Sequence, residues 1–372
     1  MKVIKRILRF FKKEPVFTAA LILAAVSFCI VRPGVKVIEG IDFRTLSLLL
    51  VLMCVVAGLQ KQFLFEKIGN ALITRISDIR LLYMILILLC FVSSMFMTND
   101  VALITFVPFS VLILTMLEKS DKLALIVVLQ TLAANLGSIL TPLGNPQNLY
   151  LYNLSGMSAL DFIKYMLPLW LISLVLVTVP VIFMKKEKVS GVRTHETPDA
   201  DKPRLVMYIV LFALSILSVL KILDYRILLA IAVVAILIAD RVILLKADYV
   251  LLGTFVGFFV FIYDLKQIPE VVDAISSVVK GHELPVGIIA SQFISNVPAA
   301  ILLSGFTNDI KTLLVSVNLG GLGTLIASMA SLISYKFYVS SRNSKPGRYM
   351  LKFTAFNVAY LIVLTGLSIL IY

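Results

Sequence analysis

A polar cluster occurs twice in this otherwise apolar chain, and the two copies align without a gap. Asn135 aligns with Asn318 at an offset of 183 residues, and Thr141 then aligns with Thr324. Glycine or proline interrupts the apolar run around both copies. A pair of interrupted apolar segments at corresponding places in two halves is the best sequence indication of a transporter binding site. The sequence therefore predicts two structural repeats that build one site between them.

The composition indicates a membrane protein. Of 372 residues, 60% are hydrophobic and 15% are charged, whereas a soluble domain has about 25% charged residues. The apolar stretches are continuous rather than alternating, which predicts helical spans and not a barrel. We expect an all-α polytopic protein with about ten spans. We place full or broken spans near 16–31, 45–60, 81–97, 123–152, 162–184, 205–220, 227–245, 249–263, 311–335 and 353–371.

The charge distribution predicts the topology. With the N-terminus in the cytoplasm, 25 of the 34 Lys and Arg residues fall in inside loops, as the positive-inside rule expects. The net charge of +13 is thereby explained without a nucleic acid partner. We expect a multi-pass protein of the inner membrane. Its predicted parts are a basic cytoplasmic segment 1–15, repeat 16–184, a cytoplasmic linker 185–204 and repeat 205–372.

Two segments have the composition of re-entrant hairpins, because each has a polar tip between two short apolar arms. The first joins 81–97 to 101–117 and turns at Thr98–Asp100. The second joins 285–294 to 297–307 and turns at Ser295 and Asn296. In the predicted topology they open from opposite sides, so the repeats are inverted.

The tips and breaks offer ligand groups at membrane depth. A tip leaves helix-terminal groups without intrahelical partners, and hydroxyl and carbonyl oxygens suit sodium. A sodium ion is therefore expected at Thr98, Asn99, Ser295 and Asn296, and an anion at the half-helix N-termini. The predicted ion and substrate site comprises Thr98, Asn99, Asp100, Asn135, Gly137, Thr141, Gly144, Asn145, Pro146, Asn148, Ser295, Asn296, Pro298, Asn318, Gly320, Gly321 and Thr324.

Glycine and proline are expected to break the helices that follow each hairpin. Gly137 and Gly144 permit positive φ, and Gly320, Gly321 and Gly323 do so in the second copy. A packing role is the alternative for these glycines, above all for the GxxxG pair at 253 and 257. Polar side chains in membrane helices also often bond only to a neighbouring helix.

Asp100 is the one acidic residue that the sequence places well inside the membrane. A carboxylate there costs at least about 2.5–3.5 kcal/mol, which makes it a candidate for ion or proton coupling. A helix N-cap is its structural alternative. No Lys or Arg lies near the predicted midplane, so an anion must rest on backbone dipoles, amides and cotransported cations.

Enzyme signatures are absent, since the chain has no phosphate loop, HExxH or GxSxG motif. We expect a secondary active transporter for a small anion, a di- or tricarboxylate or an inorganic oxyanion. Na⁺ or H⁺ is the coupling ion, and no cofactor is expected. Arsenite or antimonite efflux and sodium/proton antiport are alternatives within transport. An ion channel and a membrane scaffold are alternatives of other classes.

At these motifs the chain resembles the ion transporter superfamily of arsenite permeases, sodium/proton antiporters and citrate or dicarboxylate carriers. The matching segments are 98–100, 135–148, 295–298 and 318–321. The closest likeness is to a short, uncharacterised bacterial inner-membrane branch. The resemblance implies inverted repeats with a hairpin in each, a homodimer and an elevator-like motion.

The hairpin tips carry the resemblance residue by residue. In the sodium-coupled carboxylate branch a Ser-Asn-Thr motif helps to bind sodium, which implies that role for Thr98, Asn99, Ser295 and Asn296. The third positions differ, being Asp100 and Val297. The Thr-Asn-Asp form is more similar to the arsenite and sodium/proton branch.

Overall fold

The computed structural model describes residues 11, 14–31, 35–73, 76, 78–188, 198–342 and 344–372. Within these ranges the protein is all-helical, as predicted, and its one β-type pairing is an isolated bridge between Asp78 and Lys188. Most of the predicted segment 1–15 and the middle of the linker 185–204 lie outside the described residues.

Eight α-helices make up the first half. They are α1 (Pro15–Ile30), α2 (Phe43–Lys61), α3 (Leu64–Ile73), α4 (Ile79–Ser93), α5 (Asn99–Met116), α6 (Ser120–Gly137), α7 (Pro146–Ser155) and α8 (Ala159–Ile182).

Nine α-helices make up the second half. They are α9 (Lys202–Val219), α10 (Tyr225–Asp240), α11 (Tyr249–Leu265), α12 (Pro269–Val279), α13 (Glu283–Ile294), α14 (Asn296–Ser304), α15 (Ile310–Gly320), α16 (Met329–Val339) and α17 (Pro346–Ile371). Counting from α1 and from α10, each half contains a series of eight helices, and α9 stands between the two series.

Capping side chains define where many of these helices begin. Asp42, for example, precedes α2 and accepts a hydrogen bond from Thr45 N at 3.0 Å. Such caps satisfy a backbone N–H that the first turn leaves free. Side chains cap the described helices in the same way at Asp42, Asp78, Asn145, Ser158, Asp201, Asp224, Asp248 and Asp309.

The number of continuous spans is smaller than predicted. By length and composition seven of the described helices can cross a membrane, or eight if the bent pair of α11 and α12 counts as one span. The expected segments 123–152 and 311–335 are each divided into two helices that meet at a break. Both breaks fall where glycine and proline predicted broken helices, and they reduce the number of continuous spans.

The first helix of each series packs on the second helix of the other series: α1 lies against α11, and α10 lies against α2. The GxxxG pair serves the first contact, because a Cβ on Gly257 would lie 3.0 Å from Ala20 Cβ. Lys61 and Asp240 join the second contact by an ion pair of 2.8 Å. The packing role considered for this glycine pair is therefore the one the structure shows.

Burial places α6 at the centre of the molecule. The span that contains α6 is 94% buried, whereas the α17 span is 22% buried and exposes large apolar side chains. An apolar exposed face is what a helix in contact with lipid needs. The central position of α6 brings its C-terminal Asn135 into the protein interior.

Candidate functional site

Two packed helix pairs lie where the hairpins were predicted. Helices α4 and α5 pack against each other and are joined by a tip that ends at Thr98, and α13 and α14 pack against each other around Ser295. The polar tips lie at the predicted positions. Polar residues of this kind need partners at membrane depth, so they are found at a turn rather than unpaired in the middle of an apolar helix.

Each tip is hydrogen-bonded to the broken segment of its own repeat. Asn99 N donates to Gly144 O at 3.1 Å, and Asn296 N donates to Ala327 O at 3.0 Å. Gly144 and Ala327 are separated by the same 183 residues that align the polar clusters. The two tips, which are themselves 197 residues apart, therefore contact carbonyls at aligned positions of the two broken segments.

A second pair of equivalent bonds fixes the other side of each tip. Thr141 Oγ1 donates to Met95 O, and Thr324 Oγ1 donates to Gln292 O at 3.2 Å. Met95 and Gln292 each stand four residues before the tip asparagine. The two threonines predicted as site residues thus hold hairpin and break together.

Side chains of the two halves meet at an amide cluster formed by Asn99, Asn135, Asn145, Asn318 and Ser328. Asn145 Nδ2 donates to Asn318 Oδ1 at 3.1 Å, and Ser328 Oγ donates to Asn135 Oδ1 at 3.0 Å. Asn99 Nδ2 also donates to Asn135 Oδ1, at 2.8 Å. The cluster is buried and links the first hairpin tip to both breaks.

The first break is satisfied by Asn148, as its prediction as a site residue suggests. Its Nδ2 lies 3.1 Å from Ser138 O and 3.2 Å from Thr141 O, and its Oδ1 accepts from Asn318 Nδ2 at 2.7 Å. One amide therefore satisfies carbonyls of the break and also contacts the other half.

The second break is satisfied by Gln292, which the sequence analysis missed. Gln292 Nε2 donates to Gly320 O and Leu322 O, each at 2.9 Å, while its Oε1 accepts from Thr324 N at 2.9 Å. The sequence feature that could have identified Gln292 is its position as an amide within the apolar arm 285–294, close to the tip. Such an amide needs partners at membrane depth.

The expected positive φ angles are mostly wrong. Of the glycines predicted to use them, Gly323 alone does so, with φ of 104°. Gly137 and Gly144 are required for close approach instead, since a Cβ on each would lie 2.0 Å from a backbone oxygen, of Phe91 and of Ser138. A Cβ on Gly320 or Gly321 would also lie within 3.0 Å of a neighbouring side chain.

The two tips differ in backbone conformation. Ser295 has φ of 72° and ψ of 155°, whereas Thr98 has φ of −42° and ψ of 152°. The Ser295 conformation is one that glycine adopts almost alone, and holding another residue there costs about 1–3 kcal/mol. Strain of this kind gathers at ligand-binding positions, so the second tip is a candidate site on conformational grounds too.

A cavity of about 630 Å³, here called the Asp100 cavity, reaches the first tip. Thr98, Asp100, Asn145 and Pro146 line it, and the exposed Lys246 lies at its edge. In the described part of the chain the Asp100 carboxylate has no ion pair. The cavity thus presents two carboxylates, of Asp100 and Asp248, together with a hydroxyl and an amide to one space.

The second tip stands apart from that space. Ser295, Asn296 and Pro298 are buried and are not among the residues that line the Asp100 cavity. Pro298 lies in the first turn of α14, where a missing N–H is tolerated. Hydrogen bonds connect the first tip to both breaks through the amide cluster. In this conformation the Asp100 cavity is lined by the first tip and not by the second.

A carboxylate buried more deeply than the half-buried Asp100 lies on α11. Asp264 is fully buried, and its Oδ2 accepts from Ser27 Oγ of α1 at 2.7 Å. The predicted span ended at residue 263, one residue before Asp264. Helix α11 continues to Leu265, so Asp264 lies within the helix, which corrects that boundary.

This arrangement of two helix hairpins that meet two broken helices around buried amides defines an integral membrane transporter rather than an enzyme. The sequence profile described as "Citrate transporter" matches residues 7–310. The chain belongs to this citrate transporter family and is a secondary transporter.

Two curated relatives extend over most of the chain. Uncharacterized transporter MJ0456 of Methanocaldococcus jannaschii is 32% identical over 341 residues, covering 91% of this chain and 92% of the relative. Inner membrane protein YbiR of Escherichia coli is 32% identical over 306 residues, or 80% of each chain. The predicted superfamily is thereby confirmed, and so is the prediction that the protein is not an enzyme.

Proposed function

We propose that this transporter moves a small anion, a di- or tricarboxylate or an inorganic oxyanion, across the inner membrane and couples the movement to Na⁺ or H⁺. The observation that carries the proposal is the pair of equivalent tip contacts, Asn99 to Gly144 and Asn296 to Ala327. Two tips held on two breaks bring helix ends close to one buried amide cluster, which resembles the arrangement of a midplane substrate site.

Inverted repeats, 16–184 and 205–372 on either side of linker 185–204, are part of the proposal. Helices α2 and α11 hold the same place in the two series, and the Asp100 cavity is lined by the C-terminal end of α2 at Gln60 and by the N-terminal end of α11 at Leu251. The two helices thus approach the cavity with opposite ends, as inverted topology requires. With the N-terminus in the cytoplasm, this cavity opens inwards.

Donors for an anion are present at the amide cluster. Asn135 Nδ2 is buried, and in the described part of the chain it has no hydrogen-bond partner. A buried donor without a partner costs about 1–3 kcal/mol, and a substrate oxygen would relieve that cost. Lys246 at the cavity edge adds positive charge on the path of an anion.

The coupling ion is proposed to bind at the tips. Thr98 and Ser295 supply hydroxyls, and Asn99 and Asn296 supply amide oxygens, which are ligands that a hard cation prefers. Ser295 Oγ lies 3.3 Å from Ala327 O, so a hydroxyl and a carbonyl converge at the second tip. The strained backbone there supports a ligand-binding role.

A second candidate function is sodium/proton antiport or arsenite efflux. Asp100 favours it, because its carboxylate faces the cavity without an ion pair among the described residues. An unpaired carboxylate at membrane depth is a candidate proton or cation carrier. Val297 stands at the corresponding place of the second tip, so only one repeat supplies an acid.

Thermal stability of the purified protein separates these functions, because a ligand that binds only the folded state raises the melting temperature. Citrate, succinate, phosphate, sulfate and arsenite are each compared in sodium and in choline. A rise with one anion that requires sodium, and that Asn99→Ala and Asn296→Ala abolish, supports sodium-coupled anion transport. A sodium or pH response without any anion response, lost in Asp100→Asn, supports cation or proton exchange instead.

Counterflow in proteoliposomes distinguishes a transporter of this kind from a channel. Saturable exchange of labelled anion against internal unlabelled anion is expected, and linear flux without exchange would contradict the proposal. We also infer a homodimer, from the family resemblance. Native mass spectrometry of the lipid-embedded protein tests it, with a monomer as the contrary result.

A further inference from the structure

A second cavity, of about 580 Å³ and here called the Lys280 cavity, lies at the opposite end of two helices that line the Asp100 cavity. Helix α7 contributes its N-cap, Asn145, to the Asp100 cavity and its last residue, Ser155, to the Lys280 cavity. Helix α11 is divided in the same way, with Lys266 directly after its C-terminus in the Lys280 cavity. The two cavities therefore face opposite sides of the membrane, and in the predicted topology the Lys280 cavity faces outwards.

Three lysines from three different elements line the Lys280 cavity. Lys266 follows α11, Lys280 follows α12, and Lys311 lies in the first turn of α15. In the described part of the chain none of them forms an ion pair. In the predicted topology only nine of the 34 Lys and Arg residues lie outside, and three of these nine line this one cavity. Such a concentration of cations, on the side that carries few of them, indicates an anionic ligand.

The acidic residues nearby do not cancel this charge. Asp309 is the one carboxylate among the lining residues, and it caps α15 by accepting from Thr312 N at 3.0 Å and from Thr312 Oγ1 at 2.7 Å. Glu270 and Asp273, on α12, do not line the cavity. Three positive charges thus share the cavity with one carboxylate that already has two hydrogen-bond partners, so a net positive charge remains for a ligand.

The wall of the cavity is also partly apolar, and one of its elements has the orientation of a helix at the membrane surface. Helix α12 is bent by 111° from α11, so it lies near the membrane plane when α11 spans the membrane. Val272 and Ser276, one turn apart on α12, both line the cavity, while Val278 of the same helix is exposed. Phe306 and the exposed Leu154 add apolar surface to the wall. Apolar and cationic groups together at the level of the headgroups are what a phospholipid meets at an interfacial helix.

We propose that the Lys280 cavity binds the headgroup of an anionic phospholipid of the phosphatidylglycerol type. The phosphate group accepts from the lysines, and the glycerol backbone and the first carbons of the acyl chains lie on the apolar part of the wall. Basic pockets between membrane helices bind anionic lipid headgroups in this way, and the volume falls in the range of small-molecule sites.

The position of the cavity gives the lipid a structural role. Its wall is built by α7 of the first half and by α12, α14 and α15 of the second half. A bound lipid therefore contacts both halves on the outer side. The inference concerns a ligand other than the transported anion and does not depend on which anion is transported. Inorganic phosphate shares the phosphate chemistry of the lipid, and the experiment distinguishes these two sources.

The test uses a thiol at the cavity wall of the full-length protein in detergent. Asn308→Cys is introduced in a Cys29→Ser background, because Asn308 is exposed and lines the cavity, whereas Cys54 and Cys90 are buried. The rate of reaction with a hydrophilic maleimide is measured, at equal ionic strength, with dihexanoyl phosphatidylglycerol, with dihexanoyl phosphatidylcholine and with inorganic phosphate.

Phosphatidylglycerol is expected to slow the labelling of Asn308→Cys at a concentration about tenfold lower than either of the other ligands. The choline group of phosphatidylcholine carries a positive charge that the lysines repel. Inorganic phosphate lacks the apolar carbons, and burial of two CH₂ groups alone accounts for about a tenfold difference.

Variants assign the contacts. Lys266→Gln, Lys280→Gln and Lys311→Gln are each expected to raise the protecting concentration of phosphatidylglycerol about fivefold, as the loss of one basic residue near a lipid surface does. Lys164→Gln is the matched control, because Lys164 is an exposed lysine near the start of α8 that does not line the cavity. This control should retain full protection.

Native mass spectrometry provides a second readout. The protein is reconstituted in vesicles of phosphatidylglycerol and phosphatidylcholine, and one retained phosphatidylglycerol is expected in the unsubstituted protein and in Lys164→Gln but not in the triple lysine variant. Equal protection by the two lipids, or unchanged protection in the three lysine variants, overturns the proposal. Protection by inorganic phosphate at the same concentration as phosphatidylglycerol overturns the lipid and shows a site for a free anion instead.

Discussion

Asn145 donates its side-chain amide to the side-chain oxygen of Asn318 across the two halves of the chain, at 3.1 Å. The equivalent contact, from Ser328 to Asn135, measures 3.0 Å. Each break is therefore held by the other half of the chain, and neither half builds a complete site alone.

The Asn145–Asn318 bond predicts energetic coupling between the halves. Asn145→Ala and Asn318→Ala should each destabilise the protein, and the double variant should lose less than the sum, by about 0.6–1.7 kcal/mol for a hydrogen bond in a membrane protein. Unfolding in mixed micelles measures the free energies. Asn145→Ala with Asn357→Ala, a buried residue bonded within its own helix, should be additive; coupling of that pair, or additivity of the first, contradicts the prediction.

The strained second tip predicts an unusual effect of Ser295→Gly. Glycine relieves a backbone strain of about 1–3 kcal/mol, so the melting temperature in choline should rise. Removal of the hydroxyl should at the same time weaken stabilisation by sodium. Thermal melts with and without sodium measure both effects.

Ser277→Gly is the control for Ser295→Gly, because Ser277 is an exposed residue within α12. Glycine inside a helix costs about 0.5–1 kcal/mol, so this variant should melt lower. A lower melting temperature for Ser295→Gly as well would show that the tip is not strained.

Close backbone approach predicts that Gly144→Ala is damaging. The new Cβ would lie 2.0 Å from Ser138 O, which belongs to the backbone and cannot rotate away. We expect a loss of about 1–3 kcal/mol, as overpacking typically costs, or a loss of folded protein. Gly366→Ala, where the Cβ meets no atom within 4 Å, should instead stabilise α17. Gel filtration and thermal melts compare the two variants.

The three bonds of Gln292 predict that Gln292→Met unfolds the second break. Methionine is the residue at the equivalent place of the first hairpin, but it leaves Gly320 O, Leu322 O and Thr324 N without that partner. Each group costs about 1–3 kcal/mol when left unpaired. Hydrogen exchange at Thr324 should accelerate, while Gln267→Met at an exposed position should leave it unchanged. Unchanged exchange in Gln292→Met would show that other groups hold the break.

The positions of both hairpins could be predicted from sequence, because polar residues at Thr98 and Ser295 interrupt apolar runs that need internal partners. The offset of 183 residues also relates Gly144 and Ala327, the two residues whose carbonyls the structure shows bonded to the tips. The local sequence pattern is sufficient to locate the hairpins, because in both copies the backbone groups at the tip need hydrogen-bond partners.

Partners that lie far apart in sequence could not be predicted. The amide that satisfies a break is Asn148 in one repeat and Gln292 in the other, on different elements. The glycine conformations also depend on what approaches them, as Phe91 O approaches Gly137. The buried position of Asp264 likewise involves a distant partner, Ser27 of α1.

The crossed packing of α1 on α11 and of α10 on α2 has a consequence for biogenesis. Translation releases Pro15–Ile30 long before its partner Tyr249–Leu265 is made. Until α11 is synthesised, the face of α1 around Ala20 has no packing partner from this contact. A nascent chain that stops after the first half therefore contains α1 without its partner helix α11. We expect quality-control proteases to degrade such a chain and do not expect it to be partly active.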